Sequence, residues 1–148
     1  MNPSRNAAPP VAGQVLAAGR YAIDDAADER IRRLAKAGPR RGDEAHAGFA
    51  LALALGGIGV PIRDIFERCG LDFDAGAVLG SCSVDWDRPL TVGHDYAVTA
   101  TLASLNRKAS RRFGAADHLI LSFAIDDEDG LCATVRTTTI VPVAKAAA

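Results

Sequence analysis

Hydrophobic and polar positions divide this chain into three regimes. From Tyr21 to Ala37, the apolar residues Ile23, Ala27, Ile31, Leu34 and Ala35 recur at helical spacing among charges, which predicts an amphipathic helix stopped by Gly38 and Pro39. From Ala47 to Gly59 the chain reads AGFALALALGGIG, thirteen residues without a charge. Such a run predicts a helix buried on every side, and it is well short of the ~20 residues a bilayer span needs. Ile62, Ile65, Phe66 and Cys69 predict a further helix opened by Pro61 and ended by Gly70. From Ala77 to Val141 the period drops to two, in four strand-like runs. Tyr96, Val98, Ala100 and Leu102 share one face, and Leu119, Leu121, Phe123 and Ile125 share another. The segment DDEDG, 126–130, is a turn with the Asp-Gly ending that hairpins favour. Strands following a wholly apolar helix imply a sheet curled around it, an α+β fold.

The chain has 148 residues, enough for one core and one domain. We expect a lead-in over 1–13, a globular domain over 14–142 and a tail over 143–148. No apolar core of a signal peptide precedes the domain. Seventeen Lys and Arg nearly balance eighteen Asp and Glu, so global charge argues for neither a nucleic-acid partner nor an anionic membrane surface. Cys69, Cys82 and Cys132 are odd in number and lack metal-ligand spacing, which points to reduced thiols in the cytoplasm, packed as small buried hydrophobes. There is no metal-binding pattern and no phosphate-cradling P-loop.

Asp24, Asp25 and Asp28 crowd the start of the first helix and Arg32, Arg33 and Lys36 its end, the polarity a helix dipole favours, and we read them as a solvated charged face. Asp43 is placed to cap the apolar helix, with His46 in its first turn. The segment Asn106–Gly114 carries Arg107, Lys108, Arg111 and Arg112, four cations in six residues at the end of a strand. They could hold phosphate oxygens or simply guard a hairpin; Phe113 beside them could cover an adenine or pack.

The run His46-Ala47-Gly48-Phe49, the segment Arg88-Pro89-Leu90-Thr91-Val92-Gly93-His94-Asp95 and the two long strands with their Asp-Gly turn resemble the hot-dog fold of MaoC-like dehydratases and (R)-specific enoyl-CoA hydratases. Tyr21-Ala22-Ile23-Asp24 likewise resembles the opening strand and first helix of that family, and the resemblance spans about residues 20–142. It implies a single hot-dog domain, reversible hydration of a 2-enoyl thioester, and pairing of sheets edge to edge in a homodimer or a heteromer. It implies no separate cofactor; coenzyme A or phosphopantetheine comes as part of an acyl-CoA or acyl-carrier-protein substrate. The family's Gly-Asp-x-Asn-Pro-x-His motif is degenerate, because Gly38 is followed by Pro39, Arg40 and Arg41.

The remaining candidates for catalysis are Asp43 and His46, three apart where the family places its pair five apart. Their alternative role is structural. Ala47, Gly48 and Phe49 stand where the family polarises the thioester carbonyl with backbone amides, and a glycine there equally permits close packing. The small residues Ala50, Ala52, Ala54, Gly56 and Gly57 could leave room for an acyl group or allow tight packing. The expected function is therefore acyl-thioester handling by a supporting subunit. A thioesterase, with its carboxylate from Asp43 or from a partner copy's counterpart of Asp72 or Asp74, and a non-enzymatic binding module are the alternatives.

Overall fold

The computed structural model describes residues 8–143; most of the expected N-terminal lead-in and C-terminal tail therefore lies outside the described residues. The order of elements is β1 (Val15–Ala22), α1 (Asp25–Leu34), α2 (Phe49–Gly56), α3 (Ile62–Arg68), β2 (Val78–Trp86), β3 (Asp95–Ser110), β4 (Gly114–Asp127) and β5 (Gly130–Pro142). The five strands form one antiparallel sheet in the order β1-β3-β4-β5-β2. The segment read as four strands does hold four, and β1 adds a fifth. Tyr21 and Ala22, expected at the head of a helix, end β1 opposite Tyr96 and Asp95.

The alternation read from the sequence is the burial pattern of the sheet. Tyr96, Val98, Ala100, Leu102, Leu119, Leu121, Phe123 and Ile125 are buried, and they face α2 through Phe49, Ala50, Leu53 and Ala54. Helix α2 is shorter than its apolar run and is not buried on every side: Ala52, Leu55 and Gly56 are exposed. Pro61 caps α3, and Gly70, at φ 73°, ends it as expected. Helix α1 stops earlier than Gly38, at a turn where Lys36 adopts φ 52°.

One close approach fixes how the end of α2 meets the sheet. At Gly19 in β1, a Cβ would lie 2.4 Å from the carbonyl oxygen of Gly57 and 2.4 Å from the amide nitrogen of Gly59. Only a residue without a side chain lets the two backbones meet there. The edges of the sheet differ. Helix α3 lies beside β1, whereas β2 is exposed along nearly its whole length. On the inner side of β2, Leu79 is 49% and Trp86 43% exposed. Cys82 is also exposed, which corrects the expectation that all three cysteines are buried; Cys69 and Cys132 are.

Candidate functional site

The segment between α1 and α2 is clamped from both sides. On one side, the Ala45 amide donates to the Leu90 carbonyl, Glu44 pairs with Thr91, and the Val92 amide donates to the Asp43 carbonyl. Thr91 is held in turn by the buried Tyr96, whose hydroxyl accepts from the Thr91 amide at 2.6 Å. On the other side stands Asp28. It lies one helical turn before Arg32 and is fully buried, a correction to its expected place on a solvated face.

Asp28 is the hub of this end of the molecule. Its Oδ1 accepts the His46 amide at 2.7 Å, and its Oδ2 accepts Arg32 Nε at 2.8 Å and Arg40 Nη1 at 3.3 Å. Arg32 also donates to the carbonyls of Gly38 and Glu44, and Arg40 pairs with Asp25. Burial opposes ionisation of Asp28, but the His46 amide and the Arg32 and Arg40 guanidinium groups outweigh it and hold its pKa below the usual carboxylate value. A carboxylate stabilised as the anion and tied up in this way is a poor proton acceptor, so Asp28 is a structural centre. Sequence periodicity alone did not single it out, because its spacing to Arg32 is also that of an ordinary surface ion pair.

The expected cap on α2 is corrected too. Asp43 makes no capping hydrogen bond; it is exposed, and its carbonyl serves Val92. The cap is His46. Its Nδ1 accepts the Gly48 amide at 3.0 Å and its carbonyl accepts the Phe49 amide at 3.0 Å. This requires Nδ1 to be unprotonated, so in the neutral ring the proton sits on Nε2. Asp43 and His46 are not hydrogen-bonded to one another among the described residues. Of the three amides expected to polarise a carbonyl, those of Gly48 and Phe49 are therefore engaged, while Ala47 is exposed and its amide has no partner among the described residues.

The cationic segment lies at the other end of the sheet. Arg107 and Lys108 are near the end of strand β3, and Arg111 and Arg112 are in the β3–β4 turn, where the Ser110 hydroxyl accepts the Phe113 amide. The α2 cap, by contrast, adjoins the start of β3 through Thr91 and Tyr96. Sixteen residues of β3 separate the two ends, a contour of ~50 Å at ~3.3 Å per residue, so one chain does not bring them together. Arg107 is further engaged by Asp117 through two hydrogen bonds, at 2.9 and 3.1 Å, and Arg112 lies over the Phe113 ring at 5.3 Å. Asp72 and Asp74 are also occupied: Asp72 accepts the Asp74 amide, and Asp74 makes a two-pronged pair with Arg63.

Two shallow clefts flank the loop region. One, of about 410 Å³, runs along Arg32, Arg33, Gly38 and Arg40; the other, of about 420 Å³, lies between Arg20, His94, Asp95 and Asp127. Neither is lined by Gly48.

No protein-family model matches the sequence, and no curated protein does. Solved structures match over nearly the whole chain. A 3R-hydroxyacyl-ACP dehydratase complex, HadBC, from Mycobacterium tuberculosis superposes with a TM-score of 0.67 at 17% identity, over 88% of this chain and 97% of that one. This is a hot-dog fold. The MaoC-like dehydratase from Rhodospirillum rubrum is similar, with a TM-score of 0.60 at 13% identity over 93% of this chain and 96% of that one. A hypothetical thioesterase with coenzyme A from Streptococcus pneumoniae shares the hot-dog architecture, with a TM-score of 0.56 at 12% identity over 86% and 78% of the two chains. The expected hot-dog domain, with its sheet curled around α2, is the architecture found.

Proposed function

We propose that this protein handles acyl thioesters as the supporting, pocket-shaping subunit beside a second hot-dog chain. The observation that carries the reading is the chemistry at the head of α2. Where an acid/base pair would have to stand, the buried Asp28 carboxylate is neutralised by two arginines and the His46 imidazole is spent on the Gly48 amide. The resemblance to hydratases supports thioesters as the ligand class; the engaged groups argue against hydration by this chain unaided.

Support for a partner comes from what one chain leaves uncovered. An unpaired edge strand presents a row of free backbone groups, and proteins cover such edges or blunt them. Here β2 is open, apolar side chains lie exposed on its inner side, and one stripe of α2 is exposed. A second hot-dog chain, identical or related, placed against β2 would continue the sheet. Its far hairpin could then approach the α2 cap, which is how Arg107, Lys108, Arg111 and Arg112 would come to serve phosphates across the interface. HadBC is a dehydratase complex, and we carry that arrangement over as part of the proposal. The thioesterase alternative is narrowed to Asp43 as its carboxylate, because Asp74 is bound by Arg63 and Asp72 caps its own turn. Reduced thiols favour the cytoplasm; no described helix is long and apolar enough to cross a membrane.

The test is reconstitution. The chain is assayed for hydration of crotonyl-CoA by loss of enoyl absorbance, alone and together with a MaoC-like chain co-purified from its native cell extract. Activity restored only in the pair supports the reading. Full activity of the chain alone, abolished in His46→Ala, overturns it in favour of a hydratase that uses His46.

A further inference from the structure

Over residues 29–42 the chain carries six Lys and Arg against one acid, a local excess that the near-balanced total conceals. Two of the six, Arg32 and Arg40, are matched by Asp25 and Asp28. The other four form no ion pair among the described residues, and Arg33 is exposed at the end of α1. The helix end does not require them. The carbonyls of Ile31, Arg32 and Arg33 already accept the amides of Ala35, Ala37 and Lys36, and the helix dipole presents only about half a charge. A cleft of about 410 Å³ opens here between α1 and the following loop, lined by Arg32, Arg33 and Arg40, with Glu29 as its one acid. Two of its arginines are fixed in place. Arg32 donates through Nε, Nη1 and Nη2 to Asp28, Gly38 and Glu44, and Arg40 donates through the same three nitrogens to Gly42, Asp28 and Asp25. A guanidinium has five N–H groups, so each keeps two without an acceptor among the described residues, and Arg33 keeps all five. Arginine forks held around a cleft suit the oxygens of a phosphate ester, an anion that accepts several such bonds at once.

We infer that the cleft between the end of α1 and the 38–42 loop is a phosphate subsite, in which Arg33 binds the phosphate while Arg32 and Arg40 hold the cleft in shape. The inference rests on the thioester reading and gives the acyl ligand its anionic end, a phosphate ester of coenzyme A or of phosphopantetheine. One chain supplies the whole cleft. It adjoins the head of α2, because Arg32 donates to the Glu44 carbonyl and Asp28 accepts the His46 amide. Glu29 gives the site a sign that a solvated charged face lacks. Loss of Arg33 weakens binding and loss of Glu29 strengthens it, and only for ligands that carry phosphate.

Three ligands separate the contributions: butyryl-CoA, butyryl-phosphopantetheine with a single phosphate, and butyryl-pantetheine with none. Calorimetric titration of the full chain gives their affinities. In Arg33→Gln the preference for butyryl-CoA over butyryl-pantetheine should fall about tenfold, the worth of a charge-assisted hydrogen bond. In Glu29→Gln it should rise about two- to fivefold. Arg136→Gln removes the same charge as Arg33→Gln from an exposed position of β5, and should leave the preference unchanged. An Arg33 effect that extends to butyryl-phosphopantetheine supports the site with the phosphate that coenzyme A shares with a carrier protein. An effect confined to butyryl-CoA supports it with a phosphate of the nucleotide. An unchanged preference in folded Arg33→Gln, or an equal fall in Arg136→Gln, overturns the phosphate subsite and leaves the thioester reading standing, since the acyl ligands still bind. Should Arg33→Gln fail to fold, an unmoved Arg33 Nε resonance in wild type saturated with butyryl-CoA overturns it equally. Binding of none of the three ligands by wild type overturns the thioester reading, and this subsite with it.

Discussion

Oδ1 of Asp28 accepts the backbone amide of His46 at 2.7 Å, tying α1 to the residue that caps α2 across eighteen positions of chain. Together with the clamp by Leu90–Val92, this bond sets the path of the loop over 38–46 and the position from which His46 reaches the Gly48 amide. The surrounding contacts follow from the charge of Asp28. A buried anion is tolerated only when its lone pairs are filled, and Arg32, Arg40 and the His46 amide fill them.

Replacing Asp28 by alanine should therefore cost about 3 kcal/mol of unfolding free energy, since it leaves two arginines without their buried partner and an amide without an acceptor. Urea denaturation measures it. A loss below about 0.5 kcal/mol would mean that the cluster does not hold this end together.

The same group sets an acid dependence. Folding lowers the Asp28 pKa, so its ionised form favours the folded state fully above the unfolded value of about 4, and this contribution is lost as pH falls through the lower folded-state value. The stability difference between wild type and Asp28→Asn should be constant from pH 5 to 7 and narrow below about pH 4. A difference that instead widens on acidification contradicts the assignment.

Much of the architecture was legible because a period of two and an uncharged helical run leave little freedom. Leu119 to Ile125 alternates, and its odd positions are the buried ones. The cap was not legible. Asp43 has a better capping side chain than His46, and only the tertiary clamp by Asp28 and by the Leu90–Val92 segment decides between them. Asp28 itself was hidden for a related reason: an acid one turn before an arginine looks the same on a surface as in a core, and its burial comes from a loop that folds back over α1. Cys82 reads as a small hydrophobe, and its exposure follows from β2 lying at the edge of the sheet.

The contact between β1 and the end of α2 predicts a sharp contrast between two glycines. Gly19→Ala would push a methyl group into the backbone of Gly57 and Gly59, which has no flexible side chain to yield, and should cost about 3 kcal/mol or more. Gly38→Ala meets nothing within 4 Å and should change stability by less than about 0.5 kcal/mol. Thermal unfolding of the two variants side by side gives the comparison; similar effects would refute the close approach.

Cysteine reactivity reports on the open edge. Cys69 is buried, and burial pushes its thiol up to about 11, while burial also raises Cys132; both should resist a thiol reagent in the native protein. Cys82 alone should react in dilute solution, and all three in denaturant. If a second chain covers β2, reaction at Cys82 should slow as protein or partner concentration rises. Equal reaction of Cys69 and Cys82 in the native protein would contradict the burial pattern.

The most direct test of the central claim is one experiment with the purified chain at saturating crotonyl-CoA, following bound ligand by calorimetry, enoyl absorbance and free thiol in the same sample. Saturable binding with neither loss of absorbance nor release of thiol is the predicted result. Rapid hydration by the chain alone, thiol release, or no binding at all would contradict a thioester-binding subunit that depends on another chain for its chemistry.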